Sequence, residues 1–326
     1  MRIVGSAMGI DLHAPKDAYF SYFNSPYIGH DLGSAIDIYP RHQEWNGDVL
    51  TPVAGKIVRI RKIKMGQPKK FPTYDYDYGI GILPDESQSD IVRIMHCEPI
   101  VSEGESVNIG DCIGKAIRSR FFNYWTGPHY HVEIMPLKSF SRSSKSYPLE
   151  LEYKVESKAI QSFNDNIEFL VKFVNDDHVI GYADNLGYSS IGDLIGLPAI
   201  DTEKQITGIL DGGFSHYKIG GVIGTENFKP GTQVHLGDSS IGTVSYTKSG
   251  ASLFRRGPSI IAFLDETEIR GISCFLYTTH YTRKKTPQLI LIPKTYGQFT
   301  SLFHEGDLCE LRITNYSNRI KAGLSE

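Results

Sequence analysis

The segment Gly127-Pro128-His129-Tyr130-His131-Val132-Glu133-Ile134 constrains this chain more than any other. Two histidines one residue apart enter a run of apolar, β-prone residues, which reads as a strand. Side chains on a strand alternate between faces, so His129 and His131 share one face, roughly 6–7 Å apart, while Tyr130, Val132 and Ile134 turn into a core. A pair so placed can divide its work, one imidazole holding a metal and the other reaching a substrate beside it. For an isolated His-x-His the ordinary expectation is a solvated strand face, and only the rest of the chain can shift it.

The flanking sequence predicts a mainly β protein. Ala35 to Tyr39 alternates around Asp37 and stops at Pro40, and a carboxylate inside such a strand needs a cation or a metal as partner. A turn at Thr51-Pro52 leads into the alternating run Gly55 to Ile60, and Tyr78–Pro84 with Asp90–His96 resembles a hairpin. Glycines at short intervals between Val101 and Lys115 set the tight turns of a small sandwich. Residues 1–140 therefore read as an antiparallel β-sandwich domain. A serine-rich stretch from Ser139 to Ser146, followed by Pro148, opens a linker over 141–180. Within it Ala159, Ile160, Phe163, Ile167, Leu170, Val171 and Val174 show helical spacing, while Ile167, Phe169, Val171 and Phe173 alternate; helix and strand both stay open there. Residues 181–326 read as a second β-rich domain whose role is not legible, with strands over 259–264, 271–277 and 288–293. Two domains also suit a chain of 326 residues.

A net charge of −3 gives no electrostatic case for nucleic acid or an anionic membrane as partner. No run approaches about 18 apolar residues, so no spanning helix is expected. The first residues lack an apolar signal core, which makes a cytoplasmic location the default and an extracellular one conditional on a removed signal. Cys97, Cys112, Cys274 and Cys309 form no Cys-x-x-Cys pair, so a cysteine-only zinc site is not expected and nothing demands disulfides. Oligomeric state is not legible. His13, His178, His216, His235, His280 and His304 stand outside any such context and are expected to be structural or surface residues.

His30, Asp37, His96, His129 and His131 together make a zinc hydrolase site plausible. Catalytic zinc keeps three protein ligands and leaves one position to water. The order of signals resembles the lysostaphin/LytM-type zinc endopeptidases, which cleave peptide cross-bridges in bacterial cell walls. The matching elements are Thr51-Pro52-Val53-Ala54-Gly55-Lys56-Ile57-Val58, Tyr78-Gly79-Ile80-Gly81, Met95-His96, Val101 through Gly114, and Gly127 through Glu133, within about residues 28–136. The resemblance implies that His30, Asp37 and His131 bind Zn2+, that His96 and His129 are the catalytic pair, and that the substrate is a peptidoglycan-like or glycine-containing flexible peptide. One departure stands out. The family has three residues between its first histidine and the aspartate, and this chain has six, Asp31 to Ile36. Such an insertion would flip the facing of a regular strand, so His30 must arrive from a loop or bulge, with Asp31 or His42 as substitutes. A non-catalytic binding or regulatory module derived from the same fold is the alternative. The run Pro52-Val53-Ala54-Gly55 also echoes lipoyl and biotinyl carriers, which have no use for clustered histidines.

Overall fold

The structure, a computed structural model, describes the chain except residues 42–43, 152–157, 161–166, 202–205, 225–227, 237–238, 249, 257–259, 282–287 and 316–326. It is mainly β. Two compact units divide the chain, one made of Met1–Tyr22 and Tyr27–Leu151, the other of Phe23–Pro26 and Glu152–Glu326.

The first unit contains β1 (Arg2–Ala7), β2 (Ile10–Ala14), β3 (Tyr19–Ser21), α1 (Ile28–Asp31), β4 (Ala35–Tyr39), β5 (Asp48–Leu50), β6 (Gly55–Lys64), β7 (Tyr76–Pro84), β8 (Asp90–Met95), β9 (Cys97–Pro99), β10 (Ser106–Val107), β11 (Cys112–Ala116) and β12 (Tyr130–Pro136). A seven-stranded antiparallel sheet runs β10-β6-β7-β8-β12-β4-β3, and β5-β11-β9 form a second, smaller one. Register decides what this sheet carries. Gly79, Met95, His131, Asp37 and Ser21 lie in one row across β7, β8, β12, β4 and β3. Two residues along the strands, on the same face, the next row is Gly81, Arg93, Glu133 and Ala35. The opposite face holds Ile80, Ile82, Val92, Ile94, Val132, Ile134, Ile36 and Ile38, all 0% exposed. Each such side chain removed from water contributes about 1.5–3 kcal/mol. A one-residue slip would turn that apolar set outward and bury charges instead, so the core fixes the register of the polar rows.

The second unit is built of a 13-stranded and a four-stranded antiparallel sheet. Phe169, Leu210, Phe254 and Leu289 belong to its core. Ile260–Leu264, Gly271–Cys274 and Gln288–Ile292 are strands, where the sequence places them. The segment with two periodicities is extended wherever it is described, as Lys158–Ile160 and Ile167–Val174. Period two prevails over the helical spacing because Ile167, Phe169 and Val171 all enter the core while Glu168 between them is exposed. Phe163 lies outside the described residues. The one α-helix among them is the single turn α1, and no helix is long and apolar enough to cross a membrane.

Candidate metal centre

Asp37 and His131 face each other directly across the β4–β12 pair, where cross-strand Cβ atoms lie about 4.5–5.5 Å apart. His131 Nδ1 comes 2.8 Å from Asp37 Oδ1. His30 reaches the same carboxylate oxygen from α1, with Nε2 3.3 Å from Asp37 Oδ1 and 3.1 Å from His131 Nδ1. The long interval between His30 and Asp37 is absorbed by this helical turn and by a reversal through Gly33, at φ +62°. Ser34 closes the reversal by donating its N–H and its hydroxyl to the Gly29 carbonyl, at 2.8 and 3.0 Å. Gly29 must be glycine, because a Cβ there would sit 2.4 Å from Glu133 Oε1 and 3.0 Å from Ala35 Cβ. Neither substitute ligand is drawn in: Asp31 is not among the converging groups, and His42 lies outside the described residues.

Each imidazole is fixed from behind. His30 Nδ1 is 2.7 Å from the Tyr22 carbonyl and His129 Nδ1 is 2.9 Å from the Gly127 carbonyl. A carbonyl only accepts, so in both rings Nδ1 carries a proton and Nε2 is left to face the site. His96 Nδ1 donates to Asp77 Oδ2 at 2.6 Å, and the His96 N–H donates to Asp77 Oδ1 at 3.0 Å. Asp77 is held in turn by the Ser119 hydroxyl, 2.5 Å away. His96 occupies the left-handed region, at φ +66°, where β8 gives way to β9. A non-glycine residue kept there needs its surroundings to over-determine it, and two bonds to one buried carboxylate do so. His131 is turned the other way, Nδ1 towards Asp37 and Nε2 3.3 Å from Glu133 Oε1. Arg93 donates to the other Glu133 oxygen and, at 2.6 Å, to the Phe140 carbonyl. The rings of His96 and His129 lie 5.5 Å apart and both pack on Phe122. His129 Nε2 stands 3.6 Å from Asp37 Oδ2.

The electrostatics follow from burial and these pairings. Burial alone would raise the Asp37 carboxyl, but His30 and His129 together with hydrogen bonds from His131 and His30 hold it well below the usual range. Burial disfavours a charged His131, yet Glu133 and Asp37 carry it up to about 9. For His129 burial wins, opposed by Asp37 and helped by His96, and the ring drops to about 4. Glu133 falls to about 2, because His131 and Arg93 outweigh its burial. The two carboxylates, Asp37 and Glu133, thus favour positive charge at His131.

The donor set suits a divalent ion. A tetrahedral ion about 2.0–2.1 Å from each N or O ligand spaces the ligands by roughly 3.3 Å. The three pairs among His30 Nε2, His131 Nδ1 and Asp37 Oδ1 measure 3.1, 2.8 and 3.3 Å. All three residues are buried. Two imidazoles and one carboxylate are the borderline nitrogen and oxygen donors that zinc accepts.

The remaining histidines stay apart from this cluster. His13 Nδ1 contacts the Pro52 carbonyl, His178 pairs with Asp177, His216 meets Ser273, and His280 and His304 are exposed; His235 lies in the strand Gln233–Leu236. The four cysteines are free thiols. Residues the sequence argument did not single out are Asp77, Ser119, Arg93 and, for any role of its own, Glu133. Asp77 and Arg93 did carry a signal: each is a charge set inside an alternating strand, as Asp37 is.

Comparison with known proteins gives the following. Residues 12–151 match the family described as Domain of unknown function (DUF8155) N-terminal domain, and residues 171–288 match the corresponding C-terminal domain. No curated protein matches the chain. Among solved structures, the antimicrobial peptidase lysostaphin from Staphylococcus simulans is similar at 15% identity, over 60% of this chain and 89% of that one, with a TM-score of 0.26. An NMR solution structure of lysostaphin is similar at 13% identity, over 90% of this chain and 96% of that one, with a TM-score of 0.25. Both likenesses are distant, and TM-scores at that level do not establish a shared fold.

Proposed function

We propose that the first unit is a zinc-dependent metalloendopeptidase acting on flexible peptides, such as peptidoglycan-like or glycine-containing chains. The observation that carries this is the convergence of His30 Nε2, Asp37 Oδ1 and His131 Nδ1 within 4.8 Å of one another. Beside it stand two further histidines, each with its Nδ1 committed to a carbonyl or carboxylate. Zinc held by His30, Asp37 and His131 would supply Lewis acidity, to a water and to a peptide carbonyl.

The other roles fall to the chain itself. His129 keeps a neutral ring at physiological pH, and its Nε2 lone pair borders the ligand set, so it can take a proton from an attacking water. His96, its Nδ1 held by Asp77, which Ser119 braces, is the partner that, when Nε2 also carries a proton, donates it to a developing oxyanion or to the departing amine. Phe122 packs on both rings and keeps bulk water from them. The alternative of a non-catalytic binding module draws on the long His30–Asp37 interval; against it counts the way the end of α1 and the reversal through Gly33 return His30 to Asp37.

The test is metal analysis joined to a peptide-cleavage assay. One zinc per chain, retained in His129→Ala while hydrolysis is lost, supports the proposal. A correctly folded protein that takes up no zinc ends it.

A further inference from the structure

A cavity of about 370 Å³ adjoins His96 and His131, and beyond these two and Glu133 its lining includes side chains that the metal cluster does not use. It falls within the roughly 300–1,000 Å³ typical of ligand pockets. Ile28, Ile63, Met95, Phe121 and Phe140 supply apolar lining, which a glycine residue would leave uncovered. The polar lining is unbalanced in charge. Arg93 is already committed to Glu133, the Phe140 carbonyl and Ser143 Oγ. Arg61, exposed on β6, donates to Ser141 Oγ at 2.6 Å and has no ion-pair partner among the described residues. Alternation along β6 sets Arg59, Arg61 and Ile63 on one face, and the Arg59 guanidinium lies over the Phe140 ring. Glu133 is the only carboxylate in the lining. Ser141 and Ser143 each accept from a guanidinium, so each hydroxyl keeps its own O–H to donate.

We infer that this cavity binds a carboxylate of the substrate, held by Arg61 and the Ser141 and Ser143 hydroxyls with its hydrocarbon against Ile63 and Phe121. The inference rests on the peptidase proposal and narrows it: the substrate is a peptide that carries a carboxylate close to the bond facing His96 and His131. That carboxylate is either a free C-terminus or an Asp or Glu side chain, and both present the same planar anion to a guanidinium fork.

The experiment is calorimetric titration of the full chain, metal-free and again with zinc, using three probes. They are acetyl-Leu-Gly-Phe with a free C-terminus, the same peptide as its C-terminal amide, and acetyl-Leu-Gly-Glu amide. The metal-free titration keeps binding separate from turnover. At least one carboxylate probe is expected to bind about tenfold more tightly than the all-amide peptide, and which of the two does so identifies the source. Arg61→Gln should bring that ratio within about twofold, Arg61→Lys should keep part of it, and Ser141→Ala should lower it. Equal binding of amide and acid, no binding of either acid at millimolar concentration, or an undiminished ratio in Arg61→Gln overturns the inference. Zinc content, measured on the same samples, keeps the two proposals apart. Carboxylate preference without zinc uptake sinks the peptidase and leaves the cavity; zinc-dependent cleavage without carboxylate preference does the reverse.

Discussion

Replacing Glu133 with glutamine removes one charge from a buried chain of groups, Arg93–Glu133–His131, and leaves its shape intact. Glu133 is 0% exposed, and its carboxyl lies at about 2 against an ordinary 4.5. A displacement of about 2.5 units at about 1.36 kcal/mol each corresponds to about 3 kcal/mol of native-state stability. Removing one partner of a buried ion pair costs about 3–5 kcal/mol by mutational precedent, which agrees. The folded-state value is depressed, so the contribution is complete above about pH 4.5 and is lost as pH falls through about 2. Glu133→Gln should therefore be less stable than the parent by about 3 kcal/mol at pH 7, by the same amount at pH 6, and by only about 1.5 kcal/mol at pH 3. The assay is urea unfolding in a chelator, followed by tryptophan fluorescence. The two tryptophans, Trp45 and Trp125, both lie in the first unit, so the signal reports on that unit. A difference below about 1 kcal/mol at pH 7, or one that does not shrink in acid, would refute the assignment of Glu133 as the counter-charge that holds Arg93 and His131.

Three further outcomes are expected. Asp77→Asn should lower peptide hydrolysis about 10–100-fold with zinc content unchanged, because His96 loses the acceptor that fixes its ring; equal loss of zinc would point to a general collapse instead. Gly29→Ala should push α1 off Glu133 Oε1 and carry His30 with it, weakening zinc affinity by about tenfold or more and stability by about 1–3 kcal/mol; an unchanged affinity by competition titration would contradict this. Zinc uptake must displace the proton that His131 holds up to about 9, so apparent affinity should rise by as much as about tenfold per pH unit up to that value and then level; a flat profile between pH 6 and 8 would contradict it.

In the first unit β4, β6, β7, β8 and β12 were legible because each alternates and turns an apolar row into the core; β1, β2 and β3 were not, since the residues before Ala35 mix aromatics, prolines and glycines without a pattern that fixes individual strands. The juxtaposition of Asp37 with His131 came from the family resemblance alone, since inward faces do not by themselves say which residues of two strands lie opposite one another. How His30 arrives was not legible. A helical turn of four residues, Ile28–Asp31, leaves too short a trace for periodicity, and its position depends on a glycine meeting a glutamate about a hundred residues away. Asp77 and Arg93 act through partners distant in sequence, so their lone signal was a charge in a strand. Between Lys158 and Val174 two periods coincided, and burial of Phe169 and Val171 on one face decided for the strand. Among its described residues the second unit offers a core but no cluster of chemistry-bearing side chains that sequence or structure assigns to a task.

The central claim is that His30, Asp37 and His131 form one metal site. Anomalous diffraction at the zinc edge from crystals grown with zinc, paired with elemental analysis of the soluble protein, tests it most directly. The account predicts one ion per chain, about 2.0–2.2 Å from His30 Nε2, Asp37 Oδ1 and His131 Nδ1, and its loss in His131→Ala. A folded chain with no ion between these three residues, or an ion held elsewhere and indifferent to His131, would contradict it.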